Sequence, residues 1–387
     1  MVGTKPLPSI IDFNNLFSDI ARTKHYSTVI CLYKQLEEFG VVPDIYSLNI
    51  LVNCFCRLNR VNHAFSVVGK ILKLGYEPTP TTLNSLLNGL IVDGKFNQAV
   101  RFFYEIIKKG HKPDLITYSS FINGFCARGQ IIQAMRLFDM MLQKGYRPNL
   151  TTFNTILKGL SKVGNNNLVF WVLKMMEENG CQPDVITYNT IIHGLCKDRL
   201  VTEAVNLFLE MLGKGIKPDV ITYNSLIHGL CSQGQWNKVR RLLSEMVSRN
   251  IMQDVVTFTI LVDTLCKGGM ISEAHQIVKR MILSGIAPDV VTYNALMDGY
   301  CLKDQLEEAR RVFNAMIREG CKPTAISYNI LILGCCKSRR IDEATRFFVE
   351  MCHESLKPNM GAYKTLVRGL CQVGKPQAAQ DLFKRMH

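Results

Sequence analysis

The stretch Val185–Asp219 reads VITYNTIIHGLCKDRLVTEAVNLFLEMLGKGIKPD. Within it Tyr188, Ile191, Ile192 and Leu195 stand at i, i+3, i+4 and i+7, which is one face of an α-helix. Gly194 lies beside that face, where the missing side chain permits close approach of a neighbouring helix. Lys197, Asp198 and Arg199 break the pattern, and Ala204, Leu207, Phe208 and Met211 form a second amphipathic run. Gly215 suits a left-handed cap and Pro218 cannot continue a helix, so the second run ends there. The stretch is therefore a helical hairpin with about three turns per helix. Nothing in the chain alternates with period two over a useful length, so no strands are expected.

The hairpin recurs every 35 residues. Repeats start at Ile10, Ile45, Pro80, Leu115, Leu150, Val185, Val220, Val255, Val290 and Ala325, and a shortened one starts at Met360. This gives an N-terminal segment over 1–9, ten repeats over 10–359 and a truncated capping repeat over 360–387. Proline holds the thirty-fourth position in nine of the ten repeats, and Gln253 is the exception. A lone hairpin cannot bury both apolar faces, whereas stacked hairpins create a continuous core. The expected fold is all-α: a right-handed α-solenoid superhelix of stacked helix-turn-helix repeats, with no domain boundary inside the array.

Composition narrows the function classes. With 387 residues and 47% apolar content the chain can bury a large core, which excludes a disordered chain. No stretch approaches the roughly 18 consecutive apolar residues of a membrane span, so a soluble chain without a membrane partner is expected. Forty-six basic residues against 32 acidic ones leave a formal charge of +14. Such a surface attracts polyanions, nucleic acid ahead of an anionic membrane surface. Of the 14 cysteines, Cys126, Cys196, Cys231, Cys266, Cys301, Cys336 and Cys371 recur at 35 residues or its multiples, and Cys56 shares the register. The close pairs Cys54/Cys56 and Cys335/Cys336 have no histidine at ligand spacing, so neither a disulfide framework nor a metal site is expected. A cysteine fixed at one point of a repeat is a small apolar residue in a packing layer, and the compartment does not require disulfides. No cofactor is expected. His193, His228, Asp263 and Asp298 hold position nine of successive repeats. Hairpins stack about 10 Å apart, too far for shared metal ligation at about 2 Å. No nucleophile motif or phosphate-binding loop accompanies them, so an enzyme is not expected.

Positions five, nine and thirteen of the first helix fall on a face away from the apolar stripe. Position five reads Asn14, Asn49, Asn84, Ser119, Asn154, Asn189, Asn224, Thr259, Asn294 and Asn329. Asparagine is a mediocre helix former, so folding alone does not explain ten neutral hydrogen-bonding residues there. Position thirty-five reads Asp44, Thr79, Asp114, Asn149, Asp184, Asp219, Asp254, Asp289, Thr324 and Asn359. Capping of the next helix is a competing explanation for that position.

The quoted stretch and its counterpart VVTYNALMDGYCLKDQLEEARRVFNAMIREGCKPT (Val290–Thr324) resemble the consensus of the pentatricopeptide repeat proteins over their whole length. The resemblance covers residues 10–387. The uniform repeat length resembles the P-type class, and the Asn-rich, Cys-rich repeats resemble the plant restorer-of-fertility-like branch. Leu48 and Leu83 depart from the usual aromatic, Gln253 from proline and Asn250 from glycine, and Asn165–Asn167 occupy an atypical turn. These departures imply less faithful reading by the second, third, fifth and seventh repeats.

The resemblance implies binding of single-stranded RNA, one nucleotide per repeat, read by positions five and thirty-five. A carboxylate at position thirty-five suits the imino N–H of uracil or guanine, and an asparagine suits the acceptor of adenine or cytosine. Ser or Thr at position five leaves room for a purine, and Asn for a pyrimidine. The pairs Asn14/Asp44, Asn84/Asp114, Asn154/Asp184, Asn189/Asp219 and Asn224/Asp254 then favour U. Ser119/Asn149 favours A, Thr259/Asp289 favours G, and Asn329/Asn359 favours C. Asn49/Thr79 and Asn294/Thr324 accept a pyrimidine, which gives 5′-UYUAUUUGYC-3′.

Position two (Ile11, Tyr46, Thr81, Ile116, Thr151, Ile186, Ile221, Val256, Val291 and Ile326) would sandwich the bases or else fill the solenoid core. Position thirteen supplies Arg22, Arg57, Lys162, Lys197, Lys267 and Lys337 for phosphates, or a solvated basic surface.

By the same resemblance the chain would act as a monomer on an organellar transcript, mitochondrial or alternatively chloroplast. It would direct processing, protection or translation, with a nuclease or other protein recruited in trans. Met1–Ser9 lacks the Arg-rich amphipathic pattern of a presequence. A protein-binding scaffold of the tetratricopeptide type competes, but it would have a 34-residue period and a tryptophan pattern that two tryptophans cannot supply.

Overall fold

The computed structural model describes residues 9–384, and 22 α-helices account for the regular structure among them. The first helix of a repeat runs over thirteen residues in all but one case, for example Ile45–Arg57 and Val220–Ser232. The fifth is a residue longer, Leu150–Val163. Second helices follow after a three-residue turn, as at Val61–Lys73 and Val201–Gly213, except in the fifth repeat, where Gly164 and Asn165 alone separate the two. Among the described residues there are no strands, and the fold is an all-α repeat solenoid.

Two compact units emerge, Met1–Thr190 and Ile191–His387, and the division falls inside the helix Val185–Lys197 rather than in a linker. The first unit contains a cluster around Phe17, Tyr33, Leu48, Val52 and Ile71. In the second, a continuous core passes through Val262, Met297, Phe313, Ile332 and Met351.

Helix ends follow the local chemistry. Glycines at position thirty-one carry φ of 73° to 87°, the left-handed cap that stops each second helix. Asn250 and Ser355 adopt the same conformation at 57° and 59°. The first helices are capped by position thirty-five of the preceding repeat: Asp44, Asp114, Asn149, Asp254, Asp289 and Asn359 each accept the N3 backbone N–H. Asn165 caps its own helix, and Asn166 and Asn167 lie in that helix's first turn, so the atypical turn expected at 165–167 is a capped helix start.

The cysteines make the seam between successive first helices. A Cβ added at Gly89 would lie 2.5 Å from Cys56 Sγ. At Gly229, Gly299 and Gly334 the corresponding distance to Cys196, Cys266 and Cys301 is 2.6 Å. Glycine is required there because sulfur fills the space a methyl would need. Burial pushes these thiols up, Cys56 and Cys196 to about 12 and Cys126 to about 11, so they are poor nucleophiles. Cys371 departs from the expectation, since it is exposed and outside any such seam.

Candidate nucleic-acid interface

Residues five and thirty-five of one repeat lie 30 apart in sequence, yet the fold brings most of them together. Asn14 Nδ2 donates to both carboxylate oxygens of Asp44 at 3.1 and 2.9 Å. Asn49 Nδ2 donates to Thr79 Oγ1 at 3.1 Å, and Asn224 Nδ2 to Asp254 Oδ1 at 3.0 Å. Asn329 reaches Asn359 at 3.3 Å, and Asn154 reaches Asp184 at 3.5 Å. Among the described residues four pairs are not joined directly: Asn84/Asp114, Ser119/Asn149, Thr259/Asp289 and Asn294/Thr324. In the fourth repeat Ser119 and Asn149 are linked through the Thr152 hydroxyl, 2.9 Å from each. In the eighth repeat Thr259 and Asp289 are linked through Thr292, whose hydroxyl lies 2.6 Å from the first and 2.9 Å from the second. Asn189 belongs to the first compact unit and Asp219 to the second.

Capping and pairing are performed by the same side chains. Asp254 accepts the backbone N–H of Thr257 at 2.8 Å while it holds Asn224. Burial pushes its carboxyl up, but the bonds from the Thr257 N–H, the Asn224 amide and the Thr257 hydroxyl outweigh burial and hold it below the usual carboxylate range. Capping at position thirty-five therefore leaves its carboxylate able to hold the position-five amide as well.

Position two is resolved against the core. Ile11, Tyr46, Ile116, Ile186, Ile221, Val256, Val291 and Ile326 are 53–72% exposed, and Thr81 and Thr151 are exposed as well. The position-two side chains therefore stand in solvent and do not pack in the core. All six position-thirteen cations are exposed. Arg22 is paired with Asp19 at 3.1 Å and Lys267 with Asp263 at 2.7 Å on their own helices.

Sequence reasoning missed two sets of residues. One is a basic position thirty-three, with Lys112, Arg147, Lys217, Lys322 and Lys357 all exposed. Lys112 lines a cavity of about 450 Å³ together with Arg57, Asn84, Asp114, Ile116 and Tyr146. The signal was a charge one step before the repeated proline. The other is position three, which is Ser or Thr from Ser47 to Ser327 and fully buried. The hydroxyls of Thr82, Thr152, Thr187, Thr257 and Thr292 reach the position-five side chain of the preceding repeat. Among the described residues no group of three or more His, Cys, Asp or Glu side chains could hold a metal ion.

A stack of helical hairpins that repeats a polar residue at positions five and thirty-five and an exposed residue at position two defines a helical-repeat protein. The PPR repeat family model matches nine overlapping stretches between residues 43 and 372, and a single PPR repeat matches 361–387. The chain belongs to the pentatricopeptide repeat family. Pentatricopeptide repeat-containing protein At1g12300, mitochondrial, of Arabidopsis thaliana is 48% identical over 61 residues, 16% of this chain and 10% of that protein. Putative pentatricopeptide repeat-containing protein At1g12700, mitochondrial, of the same plant is 53% identical over 57 residues, 15% of this chain and 10% of that protein. The aligned segments thus span about a tenth of these relatives. In crystal structure, the pentatricopeptide repeat protein PPR10 in complex with an 18-nt psaJ RNA element superposes with a TM-score of 0.75 at 22% identity, over 98% of this chain and 56% of that one.

Proposed function

We propose that the chain binds single-stranded RNA along its first helices, one nucleotide per repeat, with 5′-UYUAUUUGYC-3′ as the core site. The observation that carries this reading is the position-two row: every one of its ten residues is exposed. Each stands three residues before a position-five side chain on the same helix, so an apolar ledge and a hydrogen-bonding group recur together. Bases offer a flat apolar face and a polar edge, which match the two in turn. The RNA complex of a structural neighbour supports the class of ligand. Cations at position thirteen, joined by those at position thirty-three, would meet the phosphates.

The chain acts as a binder with no chemistry of its own, and a nuclease or other protein would supply any cleavage. Names of relatives that place them in mitochondria support an organellar transcript, and the restorer-like branch fits the composition.

Binding of the ten-nucleotide RNA is expected to exceed binding of its duplex. If about five phosphates are contacted, log K falls with log salt at a slope near −3.5. A flat salt response, or equal affinity for the duplex, rejects the proposal.

A further inference from the structure

The second and ninth repeats carry the same pair, Asn49/Thr79 and Asn294/Thr324, yet their sites differ. In the second, the Thr82 hydroxyl donates to Asn49 Oδ1, and Asn49 Nδ2 donates to Thr79. The amide is held at both ends. In the ninth, no hydrogen bond joins Asn294 to Thr324, and Asn294 Oδ1 is buried without a partner. What differs is the third residue of the following repeat: threonine at 82 and serine at 327. Ser327 Oγ keeps only its turn contacts, 3.3 Å from Thr324 Oγ1, whereas Thr82 makes the equivalent contact to Thr79 at 3.0 Å and reaches Asn49 as well.

The pattern extends along the chain. Thr187 and Thr257 donate to Asn154 Oδ1 and Asn224 Oδ1 at 2.7 and 2.6 Å. Thr152 and Thr292 reach the hydroxyls of Ser119 and Thr259 at 2.9 and 2.6 Å. Ser47 donates back to the Asp44 carbonyl at 2.8 Å, and Asn14 Oδ1 is left unpartnered. Ala362 has no hydroxyl, and Asn329 Oδ1 is likewise unpartnered. The γ-methyl restricts threonine at χ1, whereas serine is freer to rotate its hydroxyl. Thr117 departs from the division, since its hydroxyl has no partner.

We infer that position three of the following repeat is a third member of each base-reading site, a positioning residue that fixes which end of the position-five amide meets the base. The inference rests on the proposed one-nucleotide reading. An amide presents a donor at one end and an acceptor at the other, so its orientation decides between uracil and cytosine. Where position thirty-five is a threonine, whose hydroxyl can donate or accept, as in the second and ninth repeats, position three sets that orientation. The same two-residue pair is therefore selective in the second repeat and permissive in the ninth.

Competition binding with RNAs carrying U or C at nucleotide two or nine tests this. The U-to-C affinity ratio is expected to depart from unity at nucleotide two by about three- to tenfold more than at nucleotide nine, the worth of one ordered hydrogen bond. Thr82→Ser should bring the ratio at nucleotide two toward unity. Ser327→Thr should move the ratio at nucleotide nine away from it. A role confined to helix capping would lower affinity for both RNAs equally and leave each ratio fixed, and that result overturns the inference. Thr82→Ser only removes a methyl, so it stays informative should Ser327→Thr misfold. Thr259→Asn, which should exchange a preference for G for one for U at nucleotide eight, is the control. If it also leaves the ranking unchanged, the one-nucleotide reading itself is at fault.

Discussion

Repeats three and seven carry the same three letters in the same places, Asn84/Asp114/Thr117 and Asn224/Asp254/Thr257, and build different sites. In the seventh, the Thr257 hydroxyl lies 2.6 Å from Asn224 Oδ1 and 2.9 Å from Asp254 Oδ1, which closes a ring of hydrogen bonds. In the third, Asp114 still accepts the Thr117 N–H at 2.8 Å, but Asn84 does not reach it and Thr117 Oγ1 is buried without a partner. The seams behind the two sites differ as well. A cysteine sulfur covers the glycine at the neighbouring seams, for example Cys56 over Gly89 and Cys126 over Gly159. Between the third and fourth repeats Gly124 instead meets the Phe96 ring, and Ile91 stands in the cysteine's register.

The largest expected effect of that difference is on stability. Asp254→Ala removes a helix cap, worth about 1 kcal/mol. It also strips the acceptor from the amide of Asn224, a residue only 7% exposed. An orphaned buried donor costs a further 1–3 kcal/mol or so, for a total of about 2–4 kcal/mol. Asp114→Ala loses its cap alone, about 1 kcal/mol. Denaturant unfolding of the two variants measures the gap, and equal losses would show that the closed ring adds nothing.

A smaller effect should follow from rebuilding the seam. Ile91→Cys with Phe96→Ile gives the third repeat the residue types found at its neighbours. The Asn84 amide should then find Asp114 and Thr117, and preference for U over C at the third nucleotide should rise by about 0.5–1.5 kcal/mol. The double variant loses core volume, so its melting temperature is expected to fall even as selectivity improves. If selectivity stays level, the seam does not govern the site.

These contrasts mark what could be read from the chain. The 35-residue period, the two helices of each repeat and the cysteine layer were legible, because each rests on local spacing or on recurrence. The polar pair was legible only through resemblance, since residues 14 and 44 share no local pattern. Position two stayed ambiguous because Ile186 and Ile221 look like core residues until their exposure is known. Position three escaped notice since a threonine in the first turn of a helix reads as an ordinary N3 residue. Its partner, 33 residues earlier, is a product of stacking. The departures at Leu48, Leu83, Asn165–Asn167, Asn250 and Gln253 were expected to make the second, third, fifth and seventh repeats read less faithfully. The pair is hydrogen-bonded in the second, fifth and seventh and open in the third, which holds Leu83.

The smallest effect concerns protons, and it tests whether the ring is closed by the hydroxyl or by the backbone alone. Asp254 is held below the ordinary carboxylate value even though burial pushes it up. A group depressed in the folded state adds stability above its unfolded value, near 3.9, and that contribution fades as pH falls through the folded value. The stability advantage of the wild type over Asp254→Asn should therefore be full at neutral pH and shrink in acid. Thr257→Val keeps the N–H bond and removes the hydroxyl. In that variant the Asp254 carboxyl should titrate at higher pH than in the wild type, and the advantage should begin to fade earlier on acidification. Carboxyl-carbon NMR titration of both proteins reads the shift directly. An unchanged titration in Thr257→Val would assign the whole depression to the backbone N–H and the Asn224 amide, and the hydroxyl would then hold only the asparagine.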